Sequence, residues 1–392
     1  MKIINRKSIT AVALSLFLGA AIPASSQNFS EQALPVSVES SGSAQTTLAA
    51  FRPKPKTDKR RLDYQVWDDV LQNIVIDFGV SSRIRSTRPT QGTGSRIVSG
   101  HTSPYRLEGS RILFGFLNDT YRDVLTEYRK DLVSVANQLD ITRLSKDEQL
   151  AFWFNLHNVA LIEQISRYYP EDTPSTLLID ANGPLEPIDD AKFLKIRGQR
   201  LSLRDIREGI VYANWSDPLV LYGFFRGDIG SPKMLRYAYT AQDLEFQLNG
   251  NATEFVNSLR GFHESRKARK LSKIYDEARP FFFPNWEADI SAHIKRFAEG
   301  DALEDFNSEK PFEFDQYETK IADLSGGHRR ASGLFVEGSG NLPPETVRLL
   351  SEVGQKQEIL RKRGIYMGAN RGFVIIEDIE TDPNQVPGET IK

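Results

Sequence analysis

Leu150-Ala-Phe-Trp-Phe-Asn-Leu-His-Asn158 is apolar on nearly every side of a helical wheel. A helix of that kind belongs at the centre of a domain, and the surrounding chain must wrap it. Ser145-Lys-Asp-Glu148, just before it, reads as a capping box: the Ser145 hydroxyl takes the Glu148 amide and the Glu148 side chain returns a bond to the Ser145 amide. The helix is expected to run to about Tyr168, before Pro170. Tyr121, Val124, Leu125, Tyr128, Leu132, Val135 and Leu139 mark a helix preceding it. Leu62, Val66, Val70 and Ile74, with Trp67, Leu71 and Val75 beside them, mark an earlier one that Gly79 would stop.

Downstream, Lys192–Ile196 and Gln199–Leu201 flank Arg197-Gly198 as a hairpin, and Ser202 caps a short helix with Asp205 at its third position. Asp217–Leu235 reads DPLVLYGFFRGDIGSPKML. Its unbroken apolar run, Leu219–Phe225, suits a buried strand, and Ser231-Pro232 suits a cap followed by proline at a helix start. Helices are expected at Thr240–Leu248, Thr253–Phe262, Glu287–Ala298 and Pro344–Arg363, and a strand at Gly372–Ile379. Arg279–Trp286 is aromatic and proline-broken. The fold class expected is α+β, helix-rich, with a small mixed or antiparallel sheet built from Lys192–Leu201, Leu219–Phe225 and Gly372–Ile379.

The N-terminus reads as a targeting segment. Lys2, Arg6 and Lys7 precede the apolar Ala11–Ile22, which is too short to span a bilayer comfortably, and Ala24 and Ser26 suit cleavage before Gln27. Residues 1–26 are therefore expected to be a signal peptide and residues 27–61 a disordered linker, with export to a periplasm and no transmembrane anchor after cleavage. A domain follows over 62–300, and a C-terminal extension over 301–392.

Composition excludes several chemistries. The chain has no cysteine, which removes thiolate nucleophiles, thiolate zinc sites, iron–sulfur clusters and disulfides. The histidines, His101, His157, His263, His293 and His328, are scattered without metal-ligand spacing, and no cofactor is implied. Removing the three basic residues of the leader from a net charge of −2 leaves −5, so no global field points to nucleic acid. Against that background, residues 81–111 are Gly/Ser-rich and carry Arg83, Arg85, Arg88, Arg96, Arg106 and Arg111 with one acid, Glu108. This basic insertion reads either as an anion-binding flap or as a solvated loop. Gly-Ser-Arg-Ile occurs in it at Gly94–Ile97 and again at Gly109–Ile112, too short a repeat to argue a repeat fold.

Two segments together carry a family resemblance. Glu148-Gln-Leu-Ala-Phe-Trp-Phe-Asn-Leu-His-Asn158 resembles the E-Q-x-A-F-W-x-N-x-Y-N-A signature of the domain of unknown function 547 family. Asp217–Leu235 is similar to its second signature, D-P-R-x-H-x-A-x-N-C-A-S-x-G-C-P-x-L, and Arg200-Leu-Ser-Leu-Arg-Asp-Ile206 resembles its L-S-L-D-D-I-E-H stretch. The resemblance covers roughly Trp67 to Ala298. It implies a fold similar to papain-like or transglutaminase-like enzymes, in which a Cys/His pair would carry thiolate chemistry. Here the reactive positions differ: Leu221 stands for the signature histidine, Arg226 and Ser231 for the two cysteines, His157 for the tyrosine, and Arg207-Glu208 for the Glu-His pair.

Candidate site residues follow from those positions. Ser231 is either a nucleophile, with His157 as base and Asp228 or Glu208 orienting it, or simply a helix cap. Asn155 and Asn158 share a helical face and either position a substrate amide or tie a loop's buried backbone. Arg226 either binds an anion beside Arg207 or forms a buried ion pair with Asp228 or Glu208. Three functions are expected to compete: an exported, degenerate family member binding a peptide, glycan or protein partner; a serine-dependent hydrolase or acyltransferase using Ser231; and an envelope scaffold.

Overall fold

The computed structural model describes residues 48–89, 100–327 and 342–365. The expected leader, the linker up to residue 47, Arg96 and the first Gly-Ser-Arg-Ile, His328 and the strand expected at Gly372–Ile379 lie outside the described residues. In chain order, α1 (Gln65–Ile74) leads into β1 (Val75–Asp77), which pairs antiparallel with β2 (Ser110–Ile112). Then come α2 (Asp119–Gln138) and α3 (Lys146–Tyr168), packed along one another. Two antiparallel hairpins follow, β3 (Leu178–Asp180) with β4 (Leu185–Pro187) and β5 (Leu194–Ile196) with β6 (Gln199–Leu201). Next are α4 (Asp205–Tyr212), α5 (Leu244–Val256), β7 (Phe262–Glu264) and β8 (Arg269–Ser272). The chain continues through α6 (Lys273–Phe282), α7 (Trp286–Phe297), α8 (Gly300–Phe306), β9 (Phe312–Gln316) and α9 (Pro344–Lys362). The class is α+β, helix-rich with small antiparallel and mixed sheets.

α3 is the hub. Every residue from Glu148 to Ser166 is buried, as its all-round apolar character demands. The Ser145 hydroxyl accepts the Glu148 amide at 3.3 Å, but the Glu148 carboxylate accepts the Leu62 amide at 3.3 Å and so ties the incoming chain to the helix start. The β5–β6 hairpin forms at the expected place. Arg197 and Gly198 take φ of 50° and 81°, the left-handed pair a two-residue turn between twisted strands requires. Ser202 and Asp205 exchange bonds of 3.0 Å and 3.0 Å, and the helix they open is wound over α4 with the uncommon i→i+5 pattern.

Three expectations are corrected. Leu219–Phe225 is not a strand; Pro218–Gly223 forms a 3-10 turn, with the Asp217 carboxylate accepting the Leu219 amide at 2.9 Å and Pro218 pre-set for its first position. An unbroken apolar run reports burial, and here it is met by helix as well as it would be by strand. No helix starts at Ser231-Pro232; Lys233 instead reaches out to the Asp77 carboxylate at 2.5 Å, and the Lys233 carbonyl accepts from Asn251 at 3.1 Å, which holds the segment irregular. The two helices expected over Thr240–Phe262 are the single α5, which runs through Gly250. The largest sheet, β7–β8–β9, joins β7 and β8 antiparallel and β8 and β9 parallel; its strands were not foreseen.

Residues beyond 300 contribute to this architecture. β9 completes the sheet, and the Gly227–Gly230 segment pairs with 318–322 through Ala322 N–H to the Gly227 carbonyl (2.8 Å), Ile229 N–H to the Lys320 carbonyl (2.8 Å) and Gly230 N–H to the Glu318 carbonyl (2.8 Å). Gly230 is required there, because a Cβ would lie 2.6 Å from the Glu318 amide. α9 packs Leu349 and Val353 with Phe78 and Leu324, and Arg106 grips Glu352 with two bonds. Lys356 is buried and donates to the carbonyls of Phe78 (2.7 Å), Val80 (3.1 Å) and Leu107 (2.8 Å), while burial pushes its pKa down to about 8. Lys356→Met should strand these acceptors and weaken α9 docking by about 2–3 kcal/mol. Hydrogen exchange across 344–362 should speed up more than tenfold while α3 amides stay protected; equal protection in both proteins would refute this. Among the described residues no helix is long and apolar enough to cross a membrane.

Candidate functional site

A cleft of about 360 Å³ opens between α3, α4, the end of β4 and the loop that follows the Pro218–Gly223 turn, with walls from α6 and the segment after β9. It gathers half of the polar candidates: His157, Arg207, Arg226 and Asp228 line it together with Asp189, Glu277, Lys273 and Tyr317. Ser231 and Glu208 do not line it.

Two asparagines of α3, which do not line the cleft, tie loop backbone to the helix. Asn155 donates to the Tyr239 carbonyl at 2.8 Å and accepts the Tyr239 amide at 3.0 Å. Asn158 donates to the Gly223 carbonyl at 3.0 Å and accepts the Phe225 amide at 3.2 Å. Each side chain thus mimics a strand neighbour and satisfies buried backbone that has no sheet to pair with. Asn251 of α5, which no sequence signal singled out, does the same for the Tyr222 carbonyl (2.8 Å) and the Lys233 carbonyl (3.1 Å). Gly223 sits against the Phe154 ring, where a Cβ would come within 2.3 Å, so the turn packs flush on α3.

The same Asn158 fixes the state of His157. Its Oδ1 is the acceptor end, since Nδ2 donates to Gly223, and that Oδ1 lies 3.1 Å from His157 Nδ1. Nδ1 therefore carries the proton, and Nε2 is a bare lone pair. Burial, with the Arg207 charge second, pushes the His157 pKa down to about 3, so the ring stays neutral. Its Nε2 is buried and has no partner among the described residues. The ring edge rests on Phe224, centroids 4.9 Å apart, which sets its orientation.

The arginines are held in different ways. Arg207 is buried and makes a two-pronged pair with Asp189 at 2.8 and 2.7 Å, plus a 3.1 Å bond to Glu208. Burial alone would raise Asp189, but the Arg207 charge and hydrogen bonds hold its carboxyl well below the usual range. Arg226 is paired with Glu277 of α6 through one nitrogen, Nη1. Neither of the pairings expected for Arg226, with Asp228 or Glu208, is the ion pair it forms. Asp228 instead accepts from the Tyr317 hydroxyl at 2.9 Å, and burial pushes its pKa up to about 8, against the opposing pull of that bond and of Arg226. At neutral pH Asp228 is chiefly a neutral carboxylic acid, unsuited to orienting a catalytic imidazole by its charge.

Ser231 is placed differently from a nucleophile. Its hydroxyl is buried, donates to the Asp228 carbonyl at 2.9 Å and accepts the Arg226 amide at 3.2 Å. It closes the Arg226–Ser231 turn, and its recorded partners are all backbone groups. Asp189, Glu277, Lys273 and Tyr317 escaped the sequence reading. Arg207 and Arg226 announced that acids must lie nearby, but nothing in the sequence identified which ones.

An α+β domain whose central Asn-bearing helix clamps a cysteine-free signature loop over a polar cleft is thus the class that fold and site define. Residues 141–256 match the family model described as Protein of unknown function, DUF547. No curated protein and no solved structure matches the chain.

Proposed function

We propose that this protein is a binding member of its family, exported to the periplasm, whose cleft takes a peptide or glycan end bearing a carboxylate. The observation that carries the reading is the orphaned lone pair of His157 Nε2, buried in the cleft that Arg226 also lines. A buried acceptor without a partner costs about 1–3 kcal/mol, and a ligand hydroxyl or N–H would recover that. Arg226, engaged on one side by Glu277, offers its charge to the ligand carboxylate. The exposed Leu178 and Leu185 of the β3–β4 hairpin, which runs into Pro187 and Ile188 of the cleft wall, suit the apolar part of such a chain. The serine-hydrolase reading has no comparable support, because the Ser231 hydroxyl is spent on its own turn. Export rests on the leader, with Lys2, Arg6 and Lys7 ahead of Ala11–Ile22.

The test is calorimetric titration with a panel of short peptides and acidic oligosaccharides, with and without a free carboxylate. Carboxylate-bearing ligands should bind the wild type, and His157→Phe should weaken that binding by at least tenfold, about 1.4 kcal/mol. Ser231→Ala should bind as the wild type does. Indifference to His157→Phe, or a preference for carboxylate-free ligands, would end the proposal.

A further inference from the structure

A second hollow, of about 260 Å³, lies where the chain entering the domain passes the start of α3. The segment is Arg52-Pro-Lys-Pro-Lys-Thr-Asp-Lys-Arg-Arg61, six cations against one acid, in a chain of net negative charge. Composition alone marked it as linker. In the structure it is a laid-down track. Phe51 is buried edge-on against Trp153, centroids 5.6 Å apart. The Lys54 amide bonds the Thr142 carbonyl at 2.8 Å, the amides of Thr57 and Asp58 bond the Arg143 carbonyl at 3.1 and 3.2 Å, and Leu62 is tied to Glu148. A disordered tether needs none of these contacts; a surface that must present charges at fixed places needs all of them.

The charges are spent unevenly. Arg60 is matched by Asp58 through a two-pronged pair, and Lys54 reaches Asp140 at 3.3 Å. Lys56, Lys59 and Arg61 are exposed and form no ion pair among the described residues, yet they converge on the hollow. Two acids also line it. The Glu148 carboxylate is turned to the Leu62 amide and its pKa is raised by burial; Asp147 is exposed. Ser145 completes the wall. Its oxygen accepts the Glu148 amide, which leaves the hydroxyl proton to donate at the start of α3, a helix of 23 residues. Asp147 and Glu148 offset part of the repulsion among these three cations, and a bound anion would offset the rest. The set (point-charge lysines, an arginine fork and a hydroxyl at a helix start) matches a phosphate group, whose oxygens accept from several directions at once.

We propose that this hollow is a binding site for a phosphate group, on a soluble phosphorylated molecule or a lipid headgroup, separate from the cleft beside His157. The experiment uses the full chain after leader removal and two probes: inorganic pyrophosphate followed by calorimetry, and vesicles of phosphatidylcholine with phosphatidylglycerol followed by co-sedimentation. Saturable, salt-sensitive binding is expected in at least one arm, reduced at least tenfold in a Lys56→Gln/Arg61→Gln protein. These side chains are exposed, so that variant should melt as the wild type does. Binding of pyrophosphate assigns the site to soluble phosphates, and binding of vesicles alone assigns it to a headgroup. His157→Phe should bind either probe as the wild type does, which separates failure here from failure of the cleft reading. No binding in either arm, or equal binding by the glutamine variant, would overturn the proposal.

Discussion

Arg260→Met should cost this protein about 3–5 kcal/mol of stability, the range for one partner left charged in a dry interior. Arg260 is wholly buried and meets the buried Glu254 with two bonds, at 2.9 and 2.5 Å. Its guanidinium lies over the Phe255 ring, 5.1 Å from the centroid, and its Nε donates to the Ser231 carbonyl at 3.2 Å. Gly109 makes room for it: a Cβ at that position, where φ is +74°, would stand 3.1 Å from the guanidinium carbon. Methionine fills much of the volume but removes every donor, so Glu254 keeps a carboxylate with its main partner gone and the Ser231 carbonyl loses a bond.

The second half of this prediction separates charge from shape. Glu254→Leu/Arg260→Met together should recover most of the loss, because an apolar pair of similar volume avoids desolvating either ion. The recovery should not be complete, since the Ser231 carbonyl stays short of a donor. Urea denaturation of the wild type, Glu254→Leu, Arg260→Met and the double variant reads the cycle directly. A single-variant loss below about 1 kcal/mol, the size of a surface pair, would contradict the burial argument. A double variant as unstable as the single would mean that the contact to Ser231, rather than the ion pair, carries the stability.

What the sequence disclosed follows from how far each signal reaches. α3, its Ser145 cap, the β5–β6 hairpin and the Ser202–Asp205 box are local patterns, complete within a few residues, and each appears where expected. Leu219–Phe225 was misread because a continuous apolar run carries no period; only Pro218 and the Asp217 cap hinted at a turn. The cleft was half legible. His157, Arg207, Arg226 and Asp228 fall in or next to recognisable segments, but Asp189, Glu277 and Tyr317 arrive from elsewhere in the chain with no local mark. Tyr317 is the sharpest case: it comes from a segment read as an extension, and it is the hydrogen-bond partner that gives Asp228 its setting. Asn251 and Arg260 escaped for the same reason, since a buried polar residue is legible only through partners far away in sequence.

Asp228→Asn should change the slope of stability against pH more than its level at any one pH. The wild-type carboxyl titrates near 8 in the folded protein, raised by burial from 3.8. Between those values the folded state holds a proton that the unfolded chain has lost, so stability falls as pH rises through the window, by up to about 1.4 kcal/mol per pH unit. His157 acts in the opposite sense: neutral when folded down to about 3 but protonated in the unfolded chain below 6.5, it lowers stability as pH falls through that range. His101, His263 and His293, all pushed down chiefly by burial, add to the same acid-side loss. From 3.8 to 6.5 Asp228 and His157 therefore offset each other, and from 6.5 to 8 Asp228 acts against no folded-state histidine. Asparagine keeps the oxygen that accepts from Tyr317 and cannot ionise. The variant should match the wild type below pH 4 and exceed it by about 2–4 kcal/mol at pH 8. Denaturant midpoints at half-unit pH steps would show the two curves diverging with rising pH. A constant offset across the range, or a variant weaker than wild type at pH 8, would mean that Asp228 is ionised and held by Arg226, and that the cleft carries one more negative charge than the burial argument allows.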